Sequence, residues 1–548
     1  MRIKNKVAFI FLTSLPVLAF TFKFSVLDRH GGFGSDWAYF AQIYEAARLS
    51  ILKYHQFPWW NSWSLGGVPL YANPQFGLFS IPMLFVLLFG TVVGLHLSVM
   101  VYILLGFWGM YLLLNRLKAS SRYIAILLAY IWTFSGFIAA HMAIGHLTFS
   151  AYLISPWFFL TLLNIRKKRG WVWFGLVTTF IVVQSPHNIA VDVLTIGIAV
   201  AIFQVTRLFF LREKSILQII KPYILSLVII VPLVSFKLLF VLQYLHEYPR
   251  ITPLDATVPA SLLIAALIFR NFQGVSNALG SVYGWWEYAD YISIITFALF
   301  CYMFVSKLLR KKKLDIIDWT IVISIAVVFL LSLGPIFYLS PYTLIHTLPI
   351  FGEMRVPSRW IGWVSFGVIL FLARLPKKPI IYVLLLLAAL DVFFANYGIL
   401  NAYQSHYTPP KSYSRVIEQY SYYGNRSPIS LLYETQSNIG QVYGYEPILG
   451  FGGNYDPSLY SKLTNRCGIN QGCSFVETGN ATVEFWSPLK IILIRNSSGP
   501  IILDMNPGKN WSVNGKRVFS NYRVLELERY FVINNSSPKI VITYSSAL

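Results

Sequence analysis

Residues 93–115 and 147–165 run without a single Asp, Glu, Lys or Arg. A stretch of about 20 apolar residues is what an α-helix needs to cross the hydrocarbon core of a bilayer. Inside lipid the backbone must satisfy its own hydrogen bonds, so such a stretch closes them as a helix. The pattern recurs through the first 400 residues and predicts eleven spans, at about 7–27, 93–115, 122–141, 147–165, 171–185, 188–208, 217–241, 289–306, 316–335, 359–374 and 379–399. Only 12% of the chain is charged, about half the share of a soluble domain. The 548 residues leave room for a soluble domain beside the spans. The basic start Met1–Lys6 resembles that of a signal peptide, but the apolar run continues to about Leu27 with no small-x-small cleavage site. It reads as an uncleaved first span.

The net charge of +22 raises the question of nucleic acid, and its distribution excludes that class. A phosphate-binding face needs cations and aromatics interleaved on one soluble surface. Here 22 of the 31 Lys and Arg before position 401 fall at the N-terminus or in alternate loops, such as Arg166–Arg169 and Arg310–Lys313. That is the positive-inside pattern: it predicts a cytoplasmic N-terminus and an extracytoplasmic tail. Two apolar stretches, Leu78–Gly90 and Val258–Phe269, are too short to cross and read as re-entrant or interfacial helices. Crossing by the first would invert every later loop and turn the basic clusters outward.

The chain divides into a transmembrane domain, 1–400, and an extracytoplasmic β-rich domain, 401–548. In the tail, Lys490–Ile494, Pro500–Asp504, Arg523–Leu527 and Lys539–Tyr544 are short strand-like runs, and Asn514-Gly515 is a hairpin turn. A small β-sandwich is the expected packing. N-x-S/T sequons at Asn425, Asn480, Asn496, Asn510, Asn534 and Asn535 agree with an outside address. Cys467 and Cys473 can form a disulfide there or stay a reduced pair. Cys301 falls in a span and reads as a packing residue.

A long polar loop, residues 28–78, interrupts the apolar pattern after the first span and holds Asp36. By the predicted topology ten of the 13 carboxylates before 401, and all nine histidines, lie on the outer side or in the outer half of a span. Carboxylates contribute little to topology, so this bias marks the outer face as the chemically equipped one. Lys237, Asp192 and Asp391 sit within spans near their outer ends, facing a cavity or partner, or, for the lysine, snorkelling to the interface. His146 and His187 cap outer helix ends. His141 and His146 are five apart rather than the i, i+4 of a helical metal pair, and no Cys or nearby carboxylate completes a set, so no metal and no cofactor is expected. Glu287 is an outer carboxylate. Arg355 and Arg359 open a span from outside, where they can hold a phosphate or anchor to headgroups. No P-loop, dinucleotide fingerprint, nucleophile elbow or zincin motif is present.

Four places together give the chain a family likeness. They are the Asp36 loop with Pro58-Trp59-Trp60-Asn61 and Gly67-Val68-Pro69-Leu70-Tyr71-Ala72-Asn73-Pro74-Gln75, the Gly145-His146 turn ahead of Pro156-Trp157, the Arg355-Val356-Pro357-Ser358-Arg359 segment, and the Asn510–Gly515 hairpin. In these the chain resembles the bacterial YfhO-type membrane proteins of the GT-C superfamily of glycosyltransferases. The resemblance implies a polytopic α-helical, GT-C-like fold and a catalytic acid in the first outer loop, which maps to Asp36. It also implies a sugar donor carried on a polyprenyl phosphate. Many relatives have adjacent acids there; this chain has Asp36 alone, with Asp28 and Glu45 near it in sequence. The function implied is transfer of a sugar from that donor to an extracytoplasmic hydroxyl of a glycan, glycolipid or protein, with inversion. Asp36 would be the base and Arg355, Arg359, His146, His187, Glu287, Lys237, Asp192 and Asp391 would contact substrate. The competing class is a non-catalytic membrane protein that transports or binds lipid-linked sugars.

Overall fold

A computed structural model describes residues 3–22, 31–32, 36–62, 68–185, 188–210, 215–247, 257–309, 315–348, 351–353, 355–402, 405–406, 480–503, 510–517 and 531–545. Among the described residues, five helices are long and apolar enough to cross a membrane: Thr91–Arg116, Arg122–Ile144, Ile189–Leu208, Ile216–His246 and Pro379–Leu400. Six shorter apolar helices accompany them: Val7–Phe20, Leu147–Leu163, Gly170–Gln184, Ile294–Leu309, Ile316–Ser332 and Pro357–Leu372. Each of the eleven predicted positions therefore holds an apolar helix. Leu217, Val228, Ile198 and Phe394 are more than half exposed on these helices, an apolar surface that lipid covers and water does not. Cys301 is also exposed on its helix rather than packed, because the outward side of a lipid-facing helix is as apolar as its core side.

Local sequence sets the helix ends. Ser121 Oγ caps its helix by accepting from the Ile124 N–H, and Asp315 with Asp318 forms a reciprocal capping box. The two short apolar stretches form nine-residue helices, Ile81–Phe89 and Ala260–Ile268. At about 13 Å each neither crosses a bilayer. The first ends at Gly90, whose φ of 79° reverses the chain, and folds back against the following helix.

The polar 28–78 loop contains regular structure. Asp36–Leu52 is a 17-residue helix, buried around most of its circumference through Trp37, Phe40, Ala41, Ile43, Tyr44 and Ala47. After it, Trp60–Asn61 pairs with Val68–Pro69 in a short hairpin.

The tail holds the predicted strands at Lys490–Arg495, Ile501–Leu503 and Lys539–Tyr544. A five-stranded antiparallel sheet runs in the order Ala481–Ser487, Lys490–Arg495, Lys539–Tyr544, Trp511–Val513, Lys516–Arg517. Ile501–Leu503 pairs separately with Phe531–Ile533. Asn514 and Gly515 take φ of 47° and 78°, the pair of positive values a two-residue type I′ hairpin requires. Arg523–Leu527, Asn425, Cys467 and Cys473 lie outside the described residues.

The sheet sits on the first loop. Trp60 is enclosed by Trp511 and Tyr544, with ring centroids at 5.9 and 5.3 Å. Gln56 Nε2 donates to Ser487 Oγ at 3.0 Å and Ser62 Oγ to the Pro488 carbonyl at 3.1 Å. First loop and tail therefore share one end of the helical bundle. The basic loops gather at the other: Arg116, Lys118, Arg166, Arg207 and Arg374 surround a single cavity there.

Candidate active site

Asp36 is the first residue of the Asp36–Leu52 helix and only 8% exposed. The helix N-terminus, with its unpaired N–H groups and dipole, favours a carboxylate at that place. Trp37 pins the end by donating its Nε1–H to the Ala143 carbonyl at 3.0 Å. That contact depends on Gly145. It closes the Gly136–Ile144 helix with φ 94°, and a Cβ there would lie 2.4 Å from Trp37 N. The absence of a side chain lets the two backbones meet and sets His146 against Asp36, with Nε2 3.0 Å from Oδ2.

His146 continues into His141, which comes from the last turn of the same helix; their Nδ1 atoms are 2.7 Å apart. With the His146 Nε2–H given to Asp36, the hydrogen between the rings belongs to His141, and His141 Nε2 is left as an acceptor. That atom is buried and takes no hydrogen bond from a described residue. Phe149 stacks on His141 at a centroid distance of 4.0 Å and carries the Arg359 guanidinium 5.3 Å above its ring.

Arg359 and Glu287 close the network. Arg359 donates through Nε and Nη2 to the two Glu287 oxygens, each at 2.7 Å. Ser358 Oγ donates to the Glu287 carbonyl at 2.8 Å. The Glu287 segment reaches the histidines because Gly136 lets it approach: a Cβ at Gly136 would lie 2.4 Å from Tyr291 N. Burial alone would raise the Glu287 carboxyl, but the Arg359 charge and hydrogen bonds outweigh it and hold the group down to about 2. Between the arginines, Val356 stands at φ 65°, a strained conformation for a β-branched residue. This turn puts Arg355 and Arg359 on the wall of one pocket, with Asp192, His346, Phe351 and Trp360. The pocket volume is about 10 Å³, room for about one water.

Six predicted site residues thus come together. Asp36, His146, Glu287 and Arg359 form a continuous network, and Arg355 and Asp192 line the pocket beside Arg359. Two others lie apart from it. Lys237 donates to the carbonyls of Tyr71 and, at 2.9 Å, Asn73, so its buried amino group clamps the first loop to the Ile216–Glu247 helix. Asp391 pairs with Arg270 and accepts from the Tyr291 hydroxyl at 2.5 Å. His187 lies outside the described residues. Glu45 is no second acid for Asp36: Arg48 forks its two oxygens at 2.8 and 2.6 Å, and Thr91 donates to it as well. The partner of Asp36 is instead His146, with His141 behind it.

The structure also supplies the carboxylate that sequence spacing could not. His141, His146 and Glu287 offer ligand atoms within 4.8 Å of one another. Both Glu287 oxygens already accept from Arg359 and the two histidines bond each other through Nδ1, which leaves His141 Nε2 as the ligand atom of this set without a described partner. Phe149 and His346 join the site without a motif of their own; among the sequence signals, only the one-sided histidine distribution touches either. No protein-family model, no curated protein and no solved structure matches the chain.

Proposed function

We propose that the protein is a membrane glycosyltransferase that moves a sugar from a polyprenyl-phosphate donor to an acceptor hydroxyl, with Asp36 as general base. The observation that carries this is the junction of Asp36, from the first loop, with Arg359, from a segment more than 300 residues later, through His146, His141 and Glu287. A base and a phosphate-binding cation on one buried network are the two groups this reaction asks of a protein. The resemblance in the four sequence places and the apolar helices supports the same reading. In it the bundle has eleven spans, and the end bearing the first loop and the tail sheet faces outward.

The acceptor hydroxyl loses its proton to Asp36 as its oxygen bonds to the anomeric carbon. The bond from that carbon to the phosphate oxygen breaks in the same step, and the lipid phosphate leaves as an anion toward Arg355 and Arg359. One displacement inverts the anomeric carbon. His146 holds Oδ2 of Asp36, which leaves Oδ1 for the acceptor's proton. Glu287 positions Arg359 instead of touching substrate. The pocket is closed at about 10 Å³, so donor binding requires its walls to part.

The test is transfer by purified protein in the presence of a polyprenyl-phosphate sugar. Asp36→Asn should lower the rate by about 100-fold or more while thermal unfolding and donor binding stay as in wild type. Equal transfer by Asp36→Asn overturns the base assignment. A wild type that binds the donor without consuming it supports instead a protein that binds or transports lipid-linked sugar.

A further inference from the structure

Apart from the network, the helical bundle encloses a second cavity among its basic loops. Thr91–Arg116, Ser150–Leu163, Asn188–Phe210, Ile316–Ser332 and Ile361–Leu372 leave about 650 Å³ between them. That is the size of a ligand site rather than of a packing defect. The walls are apolar, among them Ile196, Val200, Ile325 and Phe366, and the mouth carries Arg116, Lys118, Arg166, Arg207 and Arg374.

The charge at this mouth is not balanced. Arg374 is committed to Asp315 at 2.5 Å and Asp318 at 3.3 Å. Among the described residues Arg116 donates only to neutral oxygens, Asn164 Oδ1 at 2.8 Å and the Leu163 carbonyl at 3.0 Å. Glu213, Asp315 and Asp318 are the carboxylates that the sequence places at this end before residue 401, against the 22 basic residues there. An apolar cavity under uncompensated positive charge fits an amphiphile with a hydrocarbon chain and an anionic head. A soluble anion would leave the walls unused, and a zwitterionic lipid would leave the charge unmatched.

We propose that this cavity binds one acidic phospholipid, an acyl chain between the helices and the phosphate against Arg116, Arg166 and Arg207. The site is separate from the Asp36 network and stands whether or not that network transfers sugar.

The experiment uses the full chain, delipidated in neutral detergent. It is titrated with dioleoyl phosphatidylglycerol, dioleoyl phosphatidylcholine and inorganic phosphate, with bound lipid counted by native mass spectrometry. Phosphatidylglycerol should be retained one per protein, and neither phosphatidylcholine nor phosphate should displace it. Arg166→Ala with Arg207→Ala should weaken it by about fivefold for each charge removed. Lys167→Ala with Lys168→Ala, exposed on the same loop as Arg166 but outside the cavity lining, should change it by less than about twofold, which separates a site from general attraction to a basic surface. Val200→Trp narrows the cavity while keeping every charge, and should weaken retention by about tenfold or more; Ser324→Trp does the same from the facing helix if the first variant fails to fold. Equal binding of phosphatidylcholine, displacement by phosphate, equal sensitivity to the Lys167 and Lys168 pair, or full retention in a folded cavity-narrowing variant each overturns the proposal.

Discussion

Glu287 and Arg359 show how one pair of side chains couples the site to pH. The carboxyl sits at about 2 in the folded protein against an ordinary 4.5. Because the folded value is the lower one, the pair stabilises fully above about pH 4.5, and that contribution is lost as the pH falls toward 2. Its size is on the order of 3 kcal/mol. Thermal unfolding followed from pH 6 to pH 3 should show the wild type losing stability and Glu287→Gln losing markedly less; parallel slopes would remove Glu287 as the cause. Arg359→Ala is the harsher change, since it leaves a carboxylate buried without its cation, and should destabilise at neutral pH by about 3–5 kcal/mol. The candidacy of Glu287 was legible in sequence from the one-sided distribution of acids, and that of Arg359 from its place at the outer opening of a span. Their pairing was not: Glu287 and Arg359 are 72 positions apart, and no spacing rule joins them.

At the scale of elements, the turn after the Gly136–Ile144 helix decides where Asp36 stands. Gly145 has both a left-handed backbone and a neighbouring backbone in the place of its missing Cβ. Gly145→Ala should destabilise the protein by about 2–4 kcal/mol and draw Asp36 away from His146, so transfer should fall even in the folded fraction. Full activity in that fraction would show that the Asp36–His146 contact does not matter to the reaction. The Asp36–Leu52 helix explains why the polarity reading of residues 28–78 was incomplete. Polar residues before and after it made the whole segment look like a loop, and the helix is buried nearly all round, so it lacks the polar stripe that marks an amphipathic helix. The short helices at Ile81–Phe89 and Ala260–Ile268 were legible because length alone bars them from crossing.

For the whole molecule, the decisive relation is between the two ends of the bundle. Trp60 is 2% exposed and Trp511 1%, although one belongs to the first loop and the other to the tail. Trp60→Ala should cost about 3–5 kcal/mol and release the tail sheet, seen as faster proteolysis within residues 480–545; unchanged cleavage would mean the sheet is held elsewhere. A Gln56→Cys, Ser487→Cys pair should crosslink under mild oxidation, since the native side chains are 3.0 Å apart. In cells, a membrane-impermeant thiol reagent should label a single cysteine at Gln56 and spare one at Lys168. The reverse pattern would invert the proposed orientation and bring the basic cavity to the outside.

The amino-acid sequence by itself determined the solvent this chain folds in, the positions of its apolar helices, and the separation of its acids and histidines from its basic loops. These follow from composition and from periods of a few residues, which act locally and survive any rearrangement of the helices. Tertiary structure alone decided that, among the described residues, Asp36 is partnered by His146 rather than by Glu45. It also decided that Lys237 and Asp391 serve other contacts, and that a cavity opens among the arginines. Those outcomes depend on which backbones approach each other, at Gly145 against Trp37 and Gly136 against Tyr291. Such approaches join residues about 100 or more positions apart through packing, which no local pattern encodes.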